Sequence, residues 1–253
     1  MEGRYAIVRD VPDTYPKCIR TNKSEEIDVE LAKKQHRMYC ETLTNLGLKV
    51  IKIPADERYP DCCFVEDTAI VVGNKAIISN MGAPSRAGEE KEVKELLAKY
   101  KKIFEITPPA TIDGGDVLKI DKNIYIALSE RTNEFAIQQM KNFLSKDSYK
   151  IIPVKIKETL HLKSVCNRIG NDYVLLAKGY FDDEIFSGYK KIVTPKEETY
   201  AANCLSINKK VLIAEGYPHT KKLIEKEGFD IIEMNVSEFK KGDGGLTCLS
   251  IIF

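Results

Sequence analysis

One pattern recurs along the 253 residues: a short apolar strand, a tight turn, a second strand, then an amphipathic helix and a further strand. The clearest copy runs from Thr68 to Val72, turns at Gly73-Asn74, returns through Ala76 to Ile78, and continues through a helix over Glu89 to Tyr100 into a strand over Lys102 to Ile106. A second copy uses Val117 to Ile120, the turn Asp121-Lys122-Asn123, Ile124 to Ala127, a helix over Asn133 to Leu144 and a strand over Lys150 to Val154. The pattern recurs near Ser164-Val165 with Tyr173 to Ala177. It recurs again at Cys204 to Ile207 with Val211 to Ala214, a helix over His219 to Glu227 and a strand over Asp230 to Met234. At the start, Tyr5 to Val8 is strand-like, Ile27 to Gly47 has helical spacing and Leu48 to Ile53 alternates. The final strand is expected over Thr247 to Phe253. About five units result if the last strand pairs with the first, so a closed ring of ββαβ units is one solution. An open α/β sheet with added hairpins is the other, and periodicity alone does not separate them.

Polar residues interrupt the apolar strands at corresponding places. DCCFVED sets Glu66 and Asp67 at a break, TIDGGD puts Asp113 and Asp116 around paired glycines, LHLKS places His161 between leucines, AANC carries Asn203, and GDGGLTC carries Cys248. Each has a plain structural explanation. A histidine between leucines is more often a satisfied core residue, Asp-Gly pairs form turns, and a lone cysteine is usually a small buried side chain. Their recurrence at equivalent strand ends is the stronger signal, because a radial repeat would bring them to one centre.

Together they form a nucleophile set. Cys248 attacks as thiolate, His161 moves the proton, and Asp113 orients the histidine. His36 lies in a charged helical stretch and His219 begins a helix, so neither competes. Extra carboxylates at Glu66 and Asp67 suit a planar cation with several N–H donors, a guanidinium. Arg86 in GAPSR and Arg131 in SERTN could clamp a carboxylate at the far end of such a substrate.

The remaining composition is permissive. Net charge is +1, with 43% hydrophobic and 30% charged residues, so no global field points to nucleic acid or membrane. Seven cysteines without zinc-type spacing suggest free thiols. No apolar run approaches the roughly 18 residues that span a bilayer, and MEGRYAIVRD lacks a charged-then-apolar leader. The expectation is a cytoplasmic chain forming a single catalytic domain over residues 1–253, a monomer or homodimer, with no cofactor and no metal.

Over essentially its full length the chain resembles the dimethylarginine dimethylaminohydrolases, within the wider family of guanidine-modifying enzymes. PADERYPDCCFVEDTAIV, GAPSR, ATIDGGDVL, LSERTN, LHLKS, AANC and GDGGLTC carry the resemblance. It implies a five-bladed α/β-propeller of repeated ββαβ units around a central active site. It also implies Cys248 as nucleophile, His161 as general acid and base, and Asp113 as the acid of the triad, where some relatives carry glutamate. Glu66 and Asp67 would lie beside the guanidinium. Asp61 and the backbone at Gly242 would lie near the substrate's amino-acid end, and Arg86 and Arg131 on its α-carboxylate. Lys163, where deiminases and amidinotransferases usually carry an acid, favours hydrolysis of a methylated arginine over deimination of arginine. A propeller that only binds a partner is the alternative of another class. Two departures bear on the substrate. The lid loop YPKCIR puts Arg20 near the place where relatives carry a leucine, and the GDGG loop is unusually rich in glycine.

Overall fold

Five separate three-stranded sheets form the molecule. They are seen in a computed structural model that describes residues 4–253 apart from residue 171; the first three residues of the MEGRYAIVRD opening lie outside the described residues. In each sheet the inner strand pairs antiparallel with the middle one, and the middle one pairs parallel with the outer one. The hairpin supplies the antiparallel pair. The parallel pair needs a crossover, which the intervening helix provides.

The first blade joins both ends of the chain: β1 (Tyr5–Arg9) lies between β2 (Lys49–Ile53) and β15 (Ile251–Ile252), with α1 (Val29–Asn45) as crossover. The second holds β3 (Ala69–Val72), β4 (Lys75–Ile78), α2 (Glu90–Leu97) and β5 (Lys102–Glu105). The third holds β6 (Val117–Ile120), β7 (Asn123–Leu128), α3 (Glu134–Leu144) and β8 (Lys150–Lys155). In the fourth, β9 (Cys166–Ile169), β10 (Tyr173–Leu176) and β11 (Lys190–Val193) are connected by a 3₁₀ turn at Asp183–Phe186 in place of an α-helix. The fifth holds β12 (Leu205–Ile207), β13 (Lys210–Ala214), α4 (Pro218–Lys226) and β14 (Asp230–Met234), and α5 (Ser237–Lys241) leads back to the hub.

Burial follows strand position. The middle strands are covered on both faces, as in the buried run from Ile124 to Ala127, whereas the outer β8 alternates toward solvent. Side-chain caps set two helix starts: Asp28 accepts from Leu31 N at 3.0 Å and Asn133 from Ala136 N at 3.2 Å. Blades are also tied to one another by polar contacts. Arg9 is buried, donating to the Pro54 and Glu89 carbonyls and at 2.8 Å to Glu92.

Two segments depart from the pattern read in the sequence. The expected strand at Thr247 is a 3₁₀ turn over Thr247–Leu249, and only Ile251–Ile252 pair as a strand. Likewise Phe64 and Val65 lead into a 3₁₀ turn over Val65–Thr68. The reason is shared by the whole ring. Before each inner strand the chain must bend from the rim into the hub, and a short 3₁₀ turn does this at Val65–Thr68, Gly114–Asp116, Leu162–Ser164, Lys196–Ala202 and Thr247–Leu249.

Candidate active site

Those five turns carry the chemistry. Glu66 and Asp67 lie within the first, Asp113 caps the second and Asp116 ends it. His161 caps the third, Asn203 follows the fourth, and Cys248 is the middle residue of the fifth. Chain segments far apart in sequence thereby meet at one end of the hub.

Cys248 and His161 line a narrow cleft with Asp61, Asp67, Arg86, Arg131 and Gly242, closed over by Ile19. Its free volume is about 30 Å³, room for about one water. The cleft therefore has to open before an amino-acid-sized ligand enters. Cys248 is partly exposed, and its Sγ accepts from Gly245 N at 3.4 Å. Burial of the thiol, with Glu66 and Asp67 nearby, pushes its pKa up to about 12. In the unliganded protein the thiol is protonated at neutral pH.

His161 has the opposite tendency. Burial works against a charged ring, but Asp116, Asp67 and Asp113 outweigh it and raise the pKa to about 9. The carboxylate nearest to His161 Nδ1 is Asp116, whose Oδ1 stands at 3.2 Å in an ion pair that falls short of hydrogen-bond geometry. The Asp116 side chain is fixed by Ser129 Oγ at 2.6 Å and Thr132 Oγ1 at 2.7 Å, two residues of the SERTN segment. Asp113 is set differently. Its Oδ1 accepts from Gly82 N at 2.9 Å, while its Oδ2 is buried with no hydrogen-bond partner. Burial, followed by the charge of Asp67, raises its pKa to about 6. Asp113, expected to orient His161, has an oxygen within 4.8 Å of a ring nitrogen, while Asp116 is the carboxylate in contact with Nδ1. The two aspartates stand three residues apart, one capping and one ending the same 3₁₀ turn, and the serine and threonine of SERTN were the available signal.

Asp67 joins the arginine, the glycine turn and the histidine. It accepts from Arg86 Nη1 at 2.7 Å and from Gly115 N at 2.9 Å, and lies 3.9 Å from His161 Nε2. Burial opposes its charge, but His161 and Arg86 hold its pKa below the usual carboxylate range. Gly115 is required by proximity: a Cβ there would stand 2.9 Å from both Asp67 Oδ1 and the His161 ring. Oxygens of Asp67 and Asp113 and a nitrogen of His161 lie within 4.8 Å of one another, a grouping that could accept an ion. The Arg86 cation already on Asp67 disfavours a bare metal there, whereas the free Asp113 oxygen suits an N–H donor.

The other expected residues divide. Arg86 is buried and spends most of its donors on Asp67, Glu89 and the Phe64 carbonyl. Arg131 lines the cleft, and among the described residues its guanidinium makes no hydrogen bond. Asp61 accepts from Ile19 N at 3.1 and 3.2 Å and so holds the lid. Glu66 does not line the cleft: it turns behind it, accepting from Lys163 Nζ at 2.7 Å and from Thr247 Oγ1 at 2.8 Å. Arg20 is also outside. It donates to the Glu25 carbonyl at 2.5 Å, and Ile19 supplies the lid contact. The backbone leaving the 3₁₀ turn at Tyr15–Lys17 is extended, so neighbours point to opposite sides and the aliphatic residue faces in. The expected cation at the lid is thereby replaced by an apolar contact.

The family model described as "N,N dimethylarginine dimethylhydrolase, eukaryotic" matches residues 9–252. Among curated proteins, an N(G),N(G)-dimethylarginine dimethylaminohydrolase of Pseudomonas aeruginosa is 34% identical over 228 residues, covering 89% of this chain and 90% of that one. The Streptomyces coelicolor protein of the same name is 30% identical over 254 residues, covering 99% and 97%. A solved structure of the Pseudomonas aeruginosa enzyme, a cysteine-to-serine mutant complexed with citrulline, superposes with a TM-score of 0.95 at 30% identity and full coverage of both chains. At 18% identity, the N-terminal domain of a cyanobacterial arginine dihydrolase has the same fold, with a TM-score of 0.90 over 98% of this chain and 96% of that one. The closed ring, and not the open sheet, is the architecture these neighbours share.

Proposed function

This chain belongs to the N,N-dimethylarginine dimethylhydrolase family, and from that membership we propose that it hydrolyses an N-omega-methylated arginine to citrulline and a methylamine at the cleft holding Cys248. The observation that carries the reading is the meeting of Cys248, His161 and Asp67 in that one cleft, with the buried Asp113 carboxylate behind them, within 4.8 Å of Asp67 and His161.

The charge states suit a cationic substrate. A guanidinium donating to Asp67 and Asp113 brings positive charge to a thiol whose burial otherwise keeps it protonated. Its arrival favours the thiolate, so the nucleophile is armed when the electrophile is present. The thiolate attacks the central guanidino carbon. His161, charged through Asp116, protonates the departing amine as the C–N bond breaks, leaving a covalent thiouronium. His161 then takes a proton from water, which attacks the same carbon and expels the thiolate to leave the ureido product. Arg131, with the remaining Nη1 hydrogen of Arg86, holds the α-carboxylate. No cofactor or metal enters, since the guanidinium is already an activated electrophile.

The test is formation of ureido product from dimethylarginine, monomethylarginine and arginine by wild type and Cys248→Ala. Turnover of the methylated substrates, abolished in the variant, is the expected result. Turnover of arginine alone would transfer the chain to the deiminase alternative, and near-normal turnover by Cys248→Ala would overturn the covalent mechanism.

A further inference from the structure

The larger cavity of the ring is not the catalytic cleft. It is a space of about 340 Å³ on the axis, lined by the inner strands of all five blades. Each inner strand pairs with only one neighbour in its sheet, so its second edge turns backbone donors and acceptors toward the axis. A cavity of this size is in the range that holds a small organic molecule.

Its charge is lopsided. Lys101, Lys119, Lys163 and Arg168 line it, against Glu66 alone among the carboxylates. The inner strands run from the catalytic turns to the hairpins on the opposite face, which separates these charges. Glu66 and Lys163 lie together at the catalytic end. Lys101, which donates to the Gly73 carbonyl of the β3–β4 turn, lies at the far mouth with Lys119 and with Arg168, itself 3.3 Å from Asp121. Lys119 makes no hydrogen bond or ion pair among the described residues. Lys119 is exposed at that mouth, and partial desolvation, then Arg168, Lys101 and Lys122, lowers its pKa. Cations crowded into a recess with too few anions recruit one from solution.

We propose that this axial cavity is a second binding site, which takes a small multivalent oxyanion, a polyphosphate or polycarboxylate, between Lys101, Lys119 and Arg168, and that occupancy slows the catalytic cleft. The coupling rests on the proposed role of Cys248. The wall between the two spaces is thin: Glu66 bonds Lys163 on one side and Thr247 on the other, and Thr247 precedes Cys248. Asn203 fixes Thr247 through its backbone N at 3.0 Å and its hydroxyl at 3.2 Å. An anion at the far mouth leaves the Lys163–Glu66 pair in place and acts through space along the axis, adding negative potential at the wall beside Cys248. More negative potential then reaches the thiol, and the thiolate becomes harder to form.

The test is calorimetric titration of wild type with tripolyphosphate and, separately, with citrate, at ionic strength held constant with NaCl. One saturable site is expected for at least one probe, and the tighter probe identifies phosphate or carboxylate as the matching chemistry. Affinity should fall at least tenfold in Lys101→Ala/Lys119→Ala and in the single Lys119→Glu variant, with turnover in the absence of anion within twofold of wild type. Saturating anion should lower wild-type kcat about threefold or more at unchanged KM, and move the kcat–pH profile to higher pH. Absence of saturation with either probe, equal affinity in both variants, or competition with the guanidino substrate would overturn the site. Binding is read without turnover, so it stands or falls separately from the identity of the substrate.

Discussion

Cys248 and His161 make only half of a ready-made thiolate–imidazolium pair: the ring is charged and the sulfur is not. The thiol is pushed up to about 12 and the imidazole to about 9, so between neutrality and pH 9 the free protein carries a neutral sulfur beside a charged ring. Alkylation of Cys248 by a small haloacetamide should therefore climb about tenfold per pH unit from pH 7 to 10 with no plateau; a plateau near pH 7 would contradict this picture. The aspartates separate at the same scale. Asp116 is the leading influence raising His161 and Asp113 the least. Asp116→Asn should bring the His161 pKa down toward 6.5, seen by NMR, and cut turnover about a hundredfold. Asp113→Asn should move that pKa less and act through KM, in line with its proposed role as an acceptor of a guanidinium N–H. An equal shift in the two variants would remove the distinction. Residue types in TIDGGD announced an acid beside the histidine. They pointed to Asp113 and gave no sign of the Asp116 contact, because that depends on how a 3₁₀ turn rotates the carboxylates.

Among the elements, the lid is the most consequential. Residues Asp13 and Thr14 are held by the Glu57 carboxylate, Ile19 by Asp61, and Thr21 N by Asp243 Oδ2 at 2.5 Å. Tyr15 anchors the loop by packing on Phe64 and Phe239. Asp243 sits at a φ of 58°, which an aspartate tolerates better than most residues. Asp243→Ala should free the tip of the lid, and amide exchange at Thr21 should accelerate about tenfold or more; unchanged exchange would show that Asp61 alone holds the loop closed. The four crossover helices were legible to within a few residues, since apolar spacing and caps such as Asp28 and Asn133 are local signals, while the five-residue helix Ser237–Lys241 was not read. The last strand was not, because Thr247 to Phe253 is apolar and extended by propensity while the approach to the hub bends it. The lid contact also escaped, because a shift of one residue in extended chain exchanges Arg20 for Ile19.

The ring as a whole closes through two strand pairings of β1. Ala6 and Ile7 face Ile252 and Ile251 in the antiparallel pair, while the parallel pair with β2 runs from Tyr5 to Arg9. Deleting residues 251–253 should open the ring and unseat Cys248, lowering turnover below about 1% of wild type and broadening unfolding. Retained activity would show that the 3₁₀ turn at Thr247–Leu249 stands without the strand. In the intact chain, unfolding in urea followed by far-ultraviolet circular dichroism and by emission of the 12 tyrosines should give one coincident transition. The five-fold repeat was legible because each unit is a local pattern. Periodicity did not separate closure from an open sheet, and the family resemblance decided it. The axial cavity was not legible, because it depends on how five units with little identity share one axis.

Closure also sets an order in time. A ribosome releases the turns bearing Asp67, Asp116, His161 and Asn203 before the turn bearing Cys248, and the strand that seats that last turn follows it. The nucleophile is therefore the final component to reach its partners. A polypeptide interrupted during synthesis before this point lacks both the thiol and the strand that closes the ring, so the carboxylates of the cleft are made before the site that uses them exists.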